Sequence, residues 1–164
     1  MEMLYDRLGR HAFGLAYRIL GDGPAAEDVA QEAFLTLWRQ AERIDPARGK
    51  VSSFLLTMVH HKAIDALRAK RGQTARHLSI DVAEVEKTGA DVADRVVLTL
   101  DRDEVRKALA AVPDDQRRAI EMAYYQGLTH VEIADTLGLP LGTVKSRLRL
   151  GLEKMRAELK TRNI

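Results

Sequence analysis

The 164-residue chain contains no cysteine. Disulfides and thiolate metal sites are therefore excluded, and so is direct thiol sensing by this chain. Aromatic residues are sparse at 5% while alanine and leucine are abundant, which favours an all-helical protein with small cores. No apolar run approaches the roughly 20 residues that a membrane helix needs. The opening residues carry Glu2, Asp6, Arg7 and Arg10, unlike a signal peptide. A soluble cytoplasmic protein is the expectation. There is no phosphate-cradling glycine loop, nucleophile motif or catalytic carboxylate pair, so neither catalysis nor a cofactor is expected. The net charge of +2 is too small to indicate nucleic acid by itself, but its distribution is uneven. Acid gathers at Asp81, Glu84, Glu86, Asp91, Asp94, Asp101, Asp103 and Glu104, and base gathers over residues 145–162. A chain of this length forms one domain or two small ones.

What is present is most pointed in residues 114–159. Pro113-Asp114-Asp115 starts a helix, Ile120, Ala123 and Tyr124 repeat at helical spacing, and Gly127 stops it. Thr129-His130-Val131-Glu132 spells a capping box, which predicts a short helix ending at Gly138. Pro140 then suits the first position of a further helix. Its apolar residues Leu141, Val144, Leu148, Leu152, Met155 and Leu159 step by three and four into one stripe. The other side carries Gly142, Thr143, Lys145, Ser146 and Arg149, with Arg147 at the flank and Leu150 facing outward. Taken alone, such a cationic face is a solvated one. A short helix, a glycine turn and a basic amphipathic helix together are the pattern that enters a major groove.

Earlier in the chain, Leu8, Phe13, Leu15, Ala16 and Ile19 predict a helix over residues 1–20, broken at Gly21-Asp22-Gly23-Pro24. A second helix is expected from Ala25 to about Ala41. Val29, Ala30, Ala33, Phe34 and Leu37 form its core side, while Asp28, Gln31, Glu32 and Leu35 lie opposite, with Trp38 at the edge. By spacing alone that outer set is either a solvated face or a partner-binding one. A loop through Ile44 and Lys50 leads to a third helix ending near Arg71. It is apolar at Phe54, Leu55, Leu56, Met58, Val59, Ile64 and Leu67, and polar at Thr57, His60, His61, Lys62, Asp65 and Arg68. No metal site is expected at the paired histidines, because neighbours on a helix diverge by about 100°. Residues 73–100 read as an acidic linker, and Val105, Ala108, Leu109 and Val112 open a second module.

Several of these runs are familiar. Asp115-Gln116-Arg117, Tyr125-Gln126-Gly127-Leu128-Thr129, Glu132-Ile133-Ala134 and Pro140-Leu141-Gly142-Thr143-Val144-Lys145-Ser146-Arg147 resemble the fourth conserved region of the extracytoplasmic-function (group four) sigma factors. Ala26-Glu27-Asp28-Val29-Ala30-Gln31-Glu32-Ala33-Phe34-Leu35-Thr36-Leu37-Trp38 is similar to that family's second conserved region, and so is the run from Phe54 through Arg68. The resemblance implies a two-domain, all-α protein: region two over residues 1–72, the linker over 73–100, and region four over 101–164 with a helix-turn-helix. Asp28, Gln31, Glu32 and Leu35 become candidates for holding RNA polymerase core, whose largest-subunit clamp and flap are the implied docking points. Arg48, Lys50, Ser52, Ser53, His61 and Arg68 become candidates for the melted minus-ten strand, with the loop before the helix receiving a flipped base. Thr143, Lys145, Ser146, Arg147 and Arg149 become candidates for the minus-thirty-five duplex, Arg147 through a phosphate or a neighbouring carboxylate.

Phe54 stands where the family usually has Trp, and His61 where it commonly has Asn, so the bases read are left open. The His-bearing version resembles a subgroup that the family pairs with membrane-bound anti-sigma factors, so an anti-sigma partner is implied. The linker's acidity would suit the polymerase channel that later holds RNA. The competing class is a stand-alone helix-turn-helix regulator, which would need an upstream receiver or ligand domain. Dependence on core polymerase separates the two.

Overall fold

The computed structural model describes residues 2–41, 50–72 and 102–162. Arg48 and the expected linker at residues 73–100 lie outside the described residues. The described residues contain seven helices and no strand, the all-α class expected from composition. The chain divides into two compact units, Met1–His77 and Leu78–Ile164.

The first unit consists of α1 (Glu2–Leu20), α2 (Gly23–Arg39) and α3 (Val51–Lys70), each packed on the other two. Its core is rich in alanine. Ala12 and Ala16 of α1, Ala26, Ala30 and Ala33 of α2, and Ala63 of α3 are buried, and their small side chains let the helix backbones approach closely. Leu8, Ile19, Val29, Phe34, Leu37, Leu55, Leu56, Val59, Ile64 and Leu67 fill the space between. Burial of each such side chain is worth about 1.5–3 kcal/mol relative to exposure. The α1 stripe is turned from the one expected. Phe13 lies outside and stacks on Tyr17 at 5.9 Å, because Leu8, Ala12, Ala16 and Ile19 define a narrower inward face.

The break between α1 and α2 is also tighter than expected. The Gly21 N–H donates to Tyr17 O at 2.8 Å, and the Asp22 carboxylate caps α2 by accepting from the Ala25 N–H at 3.2 Å. Asp22 is a cap of the preferred kind, so α2 begins at Gly23, two residues before the expected Ala25, with Pro24 in its first turn. Asp22 further meets Lys70 Nζ at 3.7 Å, which joins the start of α2 to the end of α3.

Two expectations for α3 are corrected. His60, expected on the polar side, is 1% exposed. The helical repeat places it between Leu56 one turn before and Ala63 and Ile64 one turn after, all buried, so the phase of the helix overrides the polarity of the residue. Phe54, expected among the core residues, is exposed, since it shares a face with His61 two turns later.

The second unit consists of α4 (Arg102–Ala110), α5 (Asp114–Tyr124), α6 (His130–Leu137) and α7 (Leu141–Arg162). Helices α4, α5 and α6 all pack on α7, and α5 also packs on α6. Gly127 has φ 63°, and the Leu128 N–H donates back to Met122 O at 3.2 Å, closing α5 as expected. The capping box forms in full: the Glu132 N–H donates to Thr129 Oγ1 at 3.1 Å, and the Thr129 N–H donates to Glu132 Oε2 at 2.7 Å. Gly138 closes α6 at φ 63°, ψ 37°, a conformation that costs a residue with a Cβ roughly 1–2 kcal/mol. Pro140 is the cap of α7 rather than its first helical residue. Its carbonyl accepts from the Thr143 and Val144 N–H groups, at 3.0 and 3.3 Å, and helical geometry starts at Leu141.

Candidate nucleic-acid interface

Helix α7 is the longest element, and three helices hold one side of it. Val144, Leu148, Leu152, Met155 and Leu159 are buried, as the expected stripe requires. Leu141 is the exception at 39% exposed, because it stands in the first turn, ahead of the shared core. A closer seat lies further along. A Cβ on Gly151 would stand 2.8 Å from Ile120 Cδ1 and 3.1 Å from Gln116 Cβ, so a side chain here would have to shift α5 or its residues. Sequence reading passed over Gly151, since a lone glycine in a helical pattern carries no local signal of what crosses it.

The opposite side of α7 carries the expected candidates. Gly142, Lys145, Ser146 and Arg149 are exposed and Thr143 is half-buried. Arg149 also reaches along the helix to Glu153, Nη1 to Oε1 at 3.0 Å. Arg147 turns away from this group: its Nε lies 3.3 Å from Asp115 Oδ2 of α5. A neighbouring carboxylate is one of the two partners expected for Arg147. Asp115 was read as a helix starter and as part of a family run, and nothing local in sequence links two residues so far apart. The outward Leu150 adds a partly exposed apolar side chain beside the polar group.

In the first unit, α2 turns Asp28, Gln31 and Glu32 to solvent, with Leu35 54% and Trp38 61% exposed on the same side. The exposed Trp38 is of a residue type enriched at protein interfaces, whereas the acids around it are of a type enriched on solvated surface. Gln31 Nε2 donates to Glu27 Oε1 at 3.4 Å. Glu32 is not a free acid: Lys62 Nζ of α3 donates to its Oε1 at 2.8 Å.

On α3, Lys50 caps the helix without a side-chain bond, and Ser52 and Ser53 follow half-buried in the first turn. Phe54, His61 and Arg68 recur at intervals of seven on the outer face, so an aromatic, an imidazole and a guanidinium stand in one row. Among the described residues no three His, Cys, Asp or Glu side chains gather as a metal site, and no helix is long and apolar enough to cross a membrane.

The described residues thus form a helix-turn-helix unit with a polar, cationic outer face and a three-helix unit with a mixed apolar and acidic face. Comparison with known proteins supplies the class. The sequence matches Sigma-70 region 2 over residues 4–73 and Sigma-70, region 4 over residues 102–155. It is 38% identical over 152 residues to the ECF RNA polymerase sigma factor SigK of Mycobacterium tuberculosis (strain ATCC 25618 / H37Rv), covering 93% of this chain and 81% of the relative. To the SigK of Mycobacterium sp. (strain KMS) it is 35% identical over 153 residues, covering 93% and 79%. A solved structure, the sigma factor RpoE in complex with the anti-sigma factor NepR from Bartonella quintana, aligns with 97% of this chain and 96% of its own at 19% identity and a TM-score of 0.41. The chain belongs to the ECF group of the sigma-70 family of RNA polymerase sigma factors.

Proposed function

We propose that this sigma factor holds RNA polymerase core through Asp28, Gln31, Glu32 and Leu35 of α2, with Trp38 extending the face. It then directs initiation at promoters with a minus-ten and a minus-thirty-five element. Region two spans residues 1–72, residues 73–100 link, and region four spans 101–164. Lys50, Ser52, Ser53, His61 and Arg68, with Arg48 before them, engage the melted minus-ten strand. Thr143, Lys145, Ser146 and Arg149 read the minus-thirty-five duplex in the major groove. Arg147 positions α7 through Asp115. The protein has no catalysis of its own, works in the cytoplasm and is held inactive by an anti-sigma factor, as family membership supports.

The observation that carries this reading is the α6–Gly138–α7 arrangement, whose buried stripe presents Lys145, Ser146 and Arg149 together to solvent. The test is transcription in vitro with purified bacterial core polymerase on a pool of promoter fragments, with and without the protein. Specific starts sharing a pair of upstream elements are the expected result. If no starts appear, while the free protein binds duplex DNA in a salt-sensitive way, the stand-alone regulator replaces this reading.

A further inference from the structure

The apolar stripe of α7 runs unbroken into the core from Val144 to Leu159 and fails at one place, Leu141. A singly exposed leucine is ordinary on a protein surface. What marks Leu141 is where it stands. It occupies the first helical position of α7, and the N-terminal turn of a recognition helix is the part that meets base edges. Leu141, Lys145 and Arg149 follow one another at intervals of four, so they form a single ridge, apolar at its leading end and cationic behind. The next residue, Gly142, is exposed and has no side chain.

The apolar group that the major groove offers at base edges is the C5-methyl of thymine. We propose that Leu141 is a specificity-determining residue, packing on the methyl of one thymine in the minus-thirty-five element while Lys145 donates to a neighbouring base. This rests on α7 being the recognition helix, as given above. Leu141 thereby selects a base that no hydrogen-bonding residue of α7 needs to touch.

The test replaces each thymine of the minus-thirty-five element singly by deoxyuridine, which lacks only the methyl. Initiation with core polymerase is then measured on a promoter recovered from the fragment pool. With the natural protein, one position loses about fourfold in initiation at limiting protein, the worth of one buried methyl group. Leu141→Ala brings the thymine-to-uracil ratio at that position to one, and Leu141→Met keeps most of it. Thr143→Ser, which removes the other methyl on this turn, leaves the ratio unchanged.

The proposal is overturned if no thymine is sensitive in the natural protein, or if the ratio survives in Leu141→Ala. It is overturned as well if Thr143→Ser abolishes the ratio, or if Leu141→Ala lowers initiation equally on both templates, which would place the leucine against polymerase. Absence of starts on the unmodified promoter refutes the sigma reading beneath it, and so the two failures are told apart.

Discussion

Replacing Gly151 by alanine sets two effects of known size against each other. In a helix interior, alanine is favoured over glycine by about 0.8–1.0 kcal/mol. Against this stands the crossing with α5. The new Cβ would lie 2.8 Å from Ile120 Cδ1 and 3.1 Å from Gln116 Cβ, with Val112 Cγ1 at 3.5 Å. Ile120 is a side chain that could turn, but it is 2% exposed and enclosed by its neighbours. Gln116 Cβ is fixed to the α5 backbone and yields only if the helices part. Overpacking of this kind costs about 1–3 kcal/mol, so Gly151→Ala is expected to come out roughly 0–2 kcal/mol destabilising. Gly142→Ala is the internal control. It lies on the same helix, meets nothing within 4 Å, and should gain up to about 1 kcal/mol. The assay is thermal unfolding followed by circular dichroism, with fluorescence of the single tryptophan, Trp38, reporting the first unit separately. A change of 1 kcal/mol moves the Tm of a domain this small by about 4–8 °C. A Gly151→Ala protein that melts at or above Gly142→Ala would refute the close-crossing argument.

Three further outcomes are expected. Thr129→Ala removes the acceptor for the Glu132 N–H, while the backbone N–H that donates to the Glu132 carboxylate remains, and should cost about 1 kcal/mol of stability in the same melt. Lys145→Ala should cost about 1–3 kcal/mol at one base position of the minus-thirty-five element, measured by competition among single-base variants, whereas uniform weakening across all sequences would make Lys145 a phosphate contact. Trp38→Ala removes a side chain that is mostly in solvent, so the melt should stay within about 0.5 kcal/mol. Its affinity for core polymerase, read by pull-down titration, should fall; unchanged affinity would take Trp38 out of the docking face.

Wherever short-range chemistry decides the structure, the sequence was readable in advance. The capping box at Thr129, the glycine stops at 127 and 138 and the α7 stripe from Val144 to Leu159 all rest on residues within a turn or two of one another, and each is found as expected. The outward placement of Asp28, Gln31, Glu32, Lys145, Ser146 and Arg149 followed from the same periodicity. Misreadings arose where polarity was trusted over phase, as at the buried His60 and the exposed Phe54, or where the end of a stripe outruns the core, as at Leu141. Contacts between distant segments had no signature at all. The Glu32–Lys62 pair, the seat of Gly151 and the identity of the carboxylate that Arg147 meets, Asp115, depend on how helices cross, which no local pattern encodes.

The bond from Lys62 to Glu32 makes the α2 and α3 faces proposed for polymerase and for the strand share one charge balance. Any partner that captures the Glu32 carboxylate releases an ammonium group onto the flank of α3, and any phosphate that captures Lys62 returns a bare carboxylate to α2. By linkage the effect is reciprocal, so under the proposed assignment of these faces a partner bound on one would strengthen binding on the other. Because both partners reach solvent, the coupling is bounded by the worth of an exposed ion pair, up to about 1 kcal/mol, or roughly a fivefold bias. That is a thumb on the scale rather than a latch. It favours the two partners being bound together, whichever arrives first, while leaving every step reversible.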